Sequence, residues 1–203
     1  LSFGGAYSNH IHALAYAGKH YGIKTIGIIR GEYHANNPTI DQVKSAGMDV
    51  HFISRADYKR RFDEDYLSQL SQRYPNTLII PEGGSNELAL RGLGELVTEI
   101  PTSNADYIVC PCGSGGTSAG ILKALSNEQR LLSIAVLKNA DYLKDEIFKL
   151  AIDNHHRLDF NTQYHLGGYG KVTPQLIDFI NTFYNNHNIQ LEPIYSGKMM
   201  FGF

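Results

Sequence analysis

Apolar runs alternate along this chain with segments whose apolar residues have helical spacing. The predicted strands are 1–3, 24–29, 50–53, 77–80, 107–110 and 131–137. The predicted helices are 9–21, 38–46, 58–74, 87–99, 121–125, 144–154 and 175–186. Because strand–helix alternation produces parallel sheets covered on both faces, the pattern predicts an α/β fold with ligands at the carboxyl ends of the strands.

The segment 100–106 interrupts this alternation with proline and polar residues. We expect it to connect two lobes, a smaller α/β lobe over 1–100 and a larger one over 101–203. The apolar segments at 1–3 and 199–203 end abruptly, whereas a domain usually closes with exposed polar residues. We therefore expect the sequence to be a piece of a longer protein in which both lobes are partial.

Composition excludes several classes of partner. The net charge of -2 gives no general attraction to nucleic acid or to anionic membranes, and no apolar run is long enough to span a bilayer. Cys110 and Cys112 are one residue apart on a predicted strand, a spacing that suits core thiols rather than a disulfide or a zinc site. His10 and His12 also have poor metal spacing, so we expect no metal. A reducing cytoplasm is the expected compartment.

The glycine-rich segment CGSGGTSAG at 112–120 is the strongest indication of chemistry. It follows a predicted strand and opens a predicted helix, where backbone N–H groups and the helix dipole bind anions, most often phosphate. Ser118 stands where a dinucleotide motif needs its last glycine, and no lysine follows as in a P-loop. The loop therefore predicts a phosphate site, and a tight turn without a ligand is the alternative.

Four segments then occur in a recognisable order: GGAYSNH at 4–10, PEGGSN at 81–86, GSGGTSAG at 113–120 and YSGK at 195–198. Together they resemble the family of D-cysteine desulfhydrases and 1-aminocyclopropane-1-carboxylate (ACC) deaminases, over residues 1–203. The resemblance implies pyridoxal 5'-phosphate as cofactor, a small amino acid as substrate and a homodimer. It also implies the fold type II (tryptophan synthase β-like) architecture, with two open parallel-sheet lobes, here truncated at both ends.

The resemblance assigns cofactor contacts to particular positions. The phosphate would be held by the loop residues Ser114, Gly115, Gly116 and Thr117. Asn9 matches the family asparagine that bonds the pyridine hydroxyl. Ser196 matches the residue that faces the pyridine nitrogen. The deaminases are expected to have a glutamate there, whereas a neutral serine leaves the nitrogen largely unprotonated, which favours β-elimination over ring opening.

Catalytic roles follow in the same way. Ser8 matches the family serine that acts near the substrate as nucleophile or proton carrier, with a plain helix N-cap as the alternative. Tyr169 and Tyr195 match tyrosines that face cofactor and substrate, and a half-buried core tyrosine is the alternative for each.

The lysine that forms a Schiff base with the cofactor lies, in the family, upstream of the segment that here begins at Gly4. Lys19 and Lys198 do not match it, and both are expected to be solvated surface amines. The chain alone is expected to be inactive. Three functions stay open: a D-cysteine desulfhydrase releasing pyruvate, ammonia and sulfide, an ACC deaminase, and a catalytically dead module that binds a phosphorylated small molecule.

Overall fold

The apolar runs of the sequence form two three-stranded parallel sheets in the computed structural model, which describes residues 1–32, 36–100, 105–126 and 128–203. The first sheet has the order β1 (Ser2–Gly4), β2 (Ile26–Arg30), β3 (Asp49–Ile53). The second has the order β4 (Tyr107–Cys112), β5 (Arg130–Ala135), β6 (Leu158–Asn161). All the strand pairs are parallel, as strand–helix alternation predicts.

Helices connect and cover these strands. In chain order they are α1 (Asn9–Tyr21), α2 (Pro38–Ser45), α3 (Arg55–Lys59), α4 (Glu64–Arg73), α5 (Glu87–Glu99), α6 (Gly116–Ala124), α7 (Tyr142–Leu150), α8 (Pro174–His187) and α9 (Ser196–Gly202). Within the described residues, no helix combines the length and apolar character needed to cross a bilayer.

Contacts divide the chain into two compact units, Leu1–Gly84 and Ser85–Phe203. This division places α5 in the second unit, whereas the predicted boundary after residue 100 places it in the first. The physical reason is that α5 packs against α6, so closely that a Cβ at Gly120 would lie 2.6 Å from Leu93 Cδ1. Of the predicted connection at 100–106, residues 101–104 lie outside the described part of the chain.

The first unit has an apolar layer on each face of its sheet. Ile28 and Ile29 are successive residues of β2 and therefore point to opposite faces. Ile29 belongs to a cluster with residues of α1 and α2, among them Ile11 and Val43. Ile28 packs on the other face with Phe3, Tyr58 and Leu70.

The second unit has its main core around β4, β5 and α6. Cys110, Cys112, Leu122 and Leu131 are buried in it. Ser118 and Ser133 are also fully buried there, and their hydroxyl oxygens lie 2.7 Å apart, which joins α6 to β5. Each buried hydroxyl thereby has a hydrogen-bond partner, as buried polar groups require.

Some predicted elements differ from the structure. The predicted helix 58–74 is divided into α3, a 3-10 turn at Arg60–Phe62 and α4, because the Asp63 side chain accepts from the Asp65 and Tyr66 N–H groups and starts a new helix. The predicted strand 77–80 is reduced to one parallel bridge between Ser2 and Ile80. Strand β6 and helix α9 are not predicted.

The α5–α6 packing predicts opposite effects for two glycine substitutions. Gly120→Ala places a Cβ against Leu93 and should lower the free energy of unfolding by about 1–3 kcal/mol through overpacking. Gly92→Ala, on an exposed part of α5 where no described atom lies within 4 Å of the new methyl group, should raise it by about 0.5–1 kcal/mol through helix propensity. Urea denaturation of the full-length protein measures both, and equal effects would contradict the packing.

Candidate active site

The glycine segment turns sharply between β4 and α6. Gly115 has φ 89 and is the N-cap of α6, a left-handed conformation that favours glycine. Gly116 is buried, and a Cβ there would lie 2.6 Å from Ser85 Oγ. Side chains larger than hydrogen at these positions would strain or displace the loop. The backbone is therefore kept bare at the start of the helix.

Helix α6 begins without a side-chain cap. Among the described residues, no capping side chain accepts a hydrogen bond from its first turn, whereas Ser8, Asn37 and Asn86 cap α1, α2 and α5 in this way. Thr117, in the first turn, is exposed. Backbone N–H groups at a helix start, an adjacent hydroxyl and the positive end of the helix dipole together fit a phosphate group.

A second serine lies beside this loop. Ser85 Oγ is 3.1 Å from Ser114 Oγ, so the start of the second unit is joined to the glycine loop. Ser85 has no role in the sequence-based prediction. The signal was present in the segment PEGGSN, where the serine precedes Asn86, the N-cap of α5.

Tyr169 and Tyr195 come together in the second unit. Their rings meet edge to face with centroids 6.0 Å apart, and their hydroxyl oxygens are 3.4 Å apart. A Cβ at Gly113 would lie 3.3 Å from Tyr195 Cε1, so this pair adjoins the glycine loop. Both tyrosines are half-buried. The structure thus brings two predicted catalytic residues next to the predicted phosphate site.

Glu192 organises the segment that carries Tyr195 and Ser196. Its carboxylate accepts from the N–H groups of Ile194 at 2.6 Å, Tyr195 at 2.8 Å and Ser196 at 2.5 Å. The Glu192 N–H in turn donates to Ser196 Oγ at 2.9 Å. A charged acceptor therefore fixes the backbone where α9 begins. Sequence reasoning missed this residue, whose only signal is an acidic side chain just before YSGK.

In the first unit, Ser8 and Asn9 open helix α1. Ser8 is buried and its Oγ accepts from the Ile11 N–H at 3.3 Å, which is the geometry of an N-cap. A cap uses the oxygen as acceptor and leaves the hydroxyl proton available to a ligand. Asn9 is exposed at the first helical position.

His10 is held next to these residues by Ser2. Ser2 Oγ donates to the Ile80 carbonyl at 2.8 Å and also lies within hydrogen-bond distance, 2.6 Å, of His10 Nε2. Burial lowers the pKa of His10, and the nearby Glu82 opposes that shift. The ring is thereby favoured in its neutral form.

Glu82, in the segment PEGGSN, bonds side chains of the first unit. Tyr58 Oη and Arg61 Nε each donate to its carboxylate at 2.5 Å. Burial, followed by the charge of Glu82, raises the pKa of Tyr58. The phenol therefore stays protonated, and Arg61 forms an ion pair with Glu82.

The expectation for Lys198 is wrong. Its side chain is fully buried, and Nζ donates to the Gly168 carbonyl at 2.7 Å. The motif predicts a surface amine because charged residues seldom lie in a protein interior. Here α9 packs its third residue inward, beneath the loop that carries Tyr169.

Cys110 and Cys112 are free thiols buried in the core. Burial raises the pKa of Cys110 to about 11 and also raises the pKa of Cys112. Among the described residues, no group of three or more histidine, cysteine, aspartate or glutamate side chains could hold a metal ion.

Comparison with known proteins adds family information. A family model described as "Pyridoxal-phosphate dependent enzyme" matches residues 3–203. The chain is 26% identical over 216 residues to a Pyrococcus horikoshii protein named "Putative 1-aminocyclopropane-1-carboxylate deaminase", with 100% of this chain and 66% of that protein covered. It is 27% identical over 230 residues to the Arabidopsis thaliana "Bifunctional D-cysteine desulfhydrase/1-aminocyclopropane-1-carboxylate deaminase, mitochondrial", covering 100% of this chain and 57% of that protein. The chain therefore spans only part of the length of these relatives.

Solved structures are also similar to this chain. The crystal structure of an ACC deaminase homologue has a TM-score of 0.82 and 28% identity, over 99% of this chain and 66% of that one. A serine racemase from maize has a TM-score of 0.62 at 18% identity, over 98% of this chain and 64% of that one, and shows the fold alone. The predicted α/β fold of the fold type II enzymes is confirmed.

The bare backbone at Gly116 predicts a loss of cofactor affinity on substitution. Gly116→Ala should weaken pyridoxal phosphate binding by about tenfold or more, because the new Cβ displaces Ser85 or the loop. Thr117→Ser, which keeps the hydroxyl, is the matched control and should bind as the wild type does. Titration of the full-length apoprotein measures both, and unchanged affinity of Gly116→Ala would contradict the site.

Burial of the two thiols predicts that they are unreactive. Cys110 and Cys112 of the native full-length protein should resist iodoacetamide at about pH 8, since thiolate is scarce and access is blocked. The same peptide from unfolded protein is the control and should be alkylated fully. Peptide mass spectrometry reads the two states, and comparable native labelling would show that this core is open.

Proposed function

The chain belongs to the family of pyridoxal-phosphate dependent enzymes, and we propose that the full-length protein is a lyase that releases sulfide from D-cysteine or a close relative. The observation that carries the proposal is the uncapped start of α6 behind the bare loop at Gly115 and Gly116. The Tyr195 ring adjoins that loop at Gly113, the Tyr195 hydroxyl is 3.4 Å from the Tyr169 hydroxyl, and the neutral Ser196 follows Tyr195 on the Glu192-bound segment.

Each group has a distinct task in this proposal. The cofactor, when bound, stabilises negative charge at the α-carbon of the substrate amino acid. The N–H groups at the start of α6, with Ser114 and Thr117, would hold its phosphate. The Ser8 oxygen accepts the Ile11 N–H, which leaves its hydroxyl proton free to be donated near the substrate. By the family resemblance, Asn9 would form a hydrogen bond with the pyridine hydroxyl.

The tyrosine pair would transfer protons and orient the substrate. The hydroxyls of Tyr169 and Tyr195 are close enough for one to orient the other. The α-carbon gives up its proton, the Cβ–S bond breaks with its electron pair on sulfur, and the leaving thiolate takes a proton. Water then hydrolyses the remaining enamine, so cysteine and water yield pyruvate, ammonia and hydrogen sulfide.

Ser196 supports elimination over ring opening. Its oxygen accepts from the Glu192 N–H at 2.9 Å, while its own proton reaches the Glu192 carbonyl at a long 3.4 Å. A neutral pyridine nitrogen is a better acceptor for that proton than so long a contact. Without a carboxylate at this position the ring is a weaker electron sink, which suffices for expelling thiolate.

Deamination of ACC is the second candidate. It is favoured by the names of the Pyrococcus and Arabidopsis relatives, and the latter is described as having both activities. Ser196 argues against it, since opening an unactivated ring needs a stronger electron sink.

A substrate panel separates the candidates. The full-length holoenzyme should release sulfide and pyruvate from D-cysteine and little 2-oxobutanoate from ACC. Production of 2-oxobutanoate with no sulfide would favour the deaminase, and sulfide from neither cysteine enantiomer would exclude the desulfhydrase. Tight cofactor binding without turnover of any of these substrates would favour a module that only binds.

The role of Ser196 predicts a difference between two variants. Ser196→Ala removes the hydroxyl and should slow sulfide release by about tenfold, the effect of one hydrogen bond to a reacting ring. Ser196→Thr keeps the hydroxyl and is the control, with activity within about threefold of wild type. Steady-state kinetics with D-cysteine measure both, and an alanine variant as active as the threonine variant would remove Ser196 from the mechanism.

A further inference from the structure

Lys198 is a cation with no place in the mechanism given above. It is among the largest fully buried side chains of the protein, in the first turn of α9. Its Nζ donates to the Gly168 carbonyl at 2.7 Å, and burial lowers the pKa of its ammonium while Glu192 opposes that shift. Burying an amine costs free energy, so the position of Lys198 in the interior requires a physical explanation.

Packing alone does not explain why a lysine is buried at position 198. A methionine has nearly the same length and fills the same space without the cost of removing an ammonium from water. Replacing a buried charged group by an apolar one of similar volume is often neutral or stabilising. What methionine lacks is the N–H donor, so the distinctive contribution of Lys198 is its hydrogen bond to Gly168.

The loop whose carbonyl accepts this bond has an unusual backbone conformation. Leu166, Gly167, Gly168 and Gly170 have φ values of 49, 94, 110 and 71, all in the left-handed region, and Tyr169 lies between the last two. The Gly168 carbonyl also accepts from the Lys171 N–H at 3.1 Å. His165 also holds this loop locally, since its carbonyl accepts from the Gly168 N–H and its Nδ1 accepts from the Gly167 N–H, each at 3.0 Å. These bonds fix the first part of the turn, and glycine-rich chains otherwise have many accessible conformations. A tether from a rigid helix reduces that freedom.

We propose that Lys198 is the positioning residue for Tyr169: its bond to the Gly168 carbonyl holds the glycine loop so that Tyr169 meets Tyr195. Lys198 is two residues from Ser196 and three from Tyr195 on the same short segment. The segment fixed by Glu192 thus holds one tyrosine directly and the other through Lys198. The inference rests on the proposed function in one respect, namely that Tyr169 acts on the substrate.

Hydrogen exchange tests the tether without any substrate. Lys198→Met in the full-length holoenzyme should speed amide exchange over residues 166–171 by about tenfold while leaving β4 and β5 protected. Lys171→Met, which removes an exposed ammonium next to the same loop, is the matched control and should leave exchange unchanged. Unchanged exchange in a folded Lys198→Met protein would overturn the proposal.

Kinetics test the consequence for Tyr169. With activity normalised to bound cofactor, Lys198→Met should lower kcat by about tenfold and change KM by less than about twofold. It should lower kcat much less in a Tyr169→Phe background, because residues that act together are not additive. A purely structural lysine would instead lower the melting temperature and leave the normalised kcat unchanged.

The outcomes stay separable from those of the proposed function. If the wild-type holoenzyme acts on neither cysteine nor ACC, the proposed function fails and the exchange measurement still decides the tether. If Lys198→Met does not fold, Lys198→Leu makes the same deletion with a smaller side chain. If neither variant folds, Lys198 serves the whole unit, and a dedicated positioning role is wrong.

Discussion

A helix that begins without a capping side chain is the constraint on which the candidate site depends. At the start of α6 the chain has Gly115 in the capping position, followed by Gly116, whereas α1, α2 and α5 have a serine or an asparagine in that position. Because the glycines have no side chains, the approach to the N–H groups stays open. Ser85 packs closely against Gly116. The backbone donors are therefore left without a side-chain acceptor, and a phosphate would supply the charge that the helix dipole favours.

In the second unit, hydrogen bonds from polar side chains hold the other groups of the candidate site in place. Ser118 and Ser133 bind each other beneath the loop, Glu192 binds the backbone of the segment with Tyr195, and Lys198 binds the loop with Tyr169. Each of these contacts pairs a polar side-chain atom with a backbone group or with another side chain, so that the position of the group is fixed at a modest net energy. Polar side chains that stay exposed or half-exposed, such as Thr117, are the ones that a ligand can contact.

Local patterns account for the parts of the fold that the sequence predicts correctly. Helices α1 and α5 have clear periodicity, and their capping residues Ser8 and Asn86 mark where they begin. The segment 77–80 reads as a strand, yet it forms only one bridge beside β1, because strand pairing depends on a partner that periodicity does not reveal. The burial of Lys198 escapes prediction for a similar reason, since it follows from the packing of α9 on a distant loop. The roles taken from the family resemblance could be stated residue by residue, but Glu192 and Ser85 emerge only from contacts across the fold.

Phosphate binding at the uncapped start of α6, as proposed, would couple folding to the supply of a small molecule. An anion bound there, as proposed, would complete the first turn of the helix in the way that a serine or asparagine does in α1, α2 and α5, and it would bind the native state in preference to the unfolded chain. A ligand present at about a hundred times its dissociation constant then stabilises the native state by about 2.7 kcal/mol. Cells short of vitamin B6 would therefore hold a protein that unfolds and is degraded more readily, so its abundance would follow the nutritional state of the cell as well as the expression of its gene.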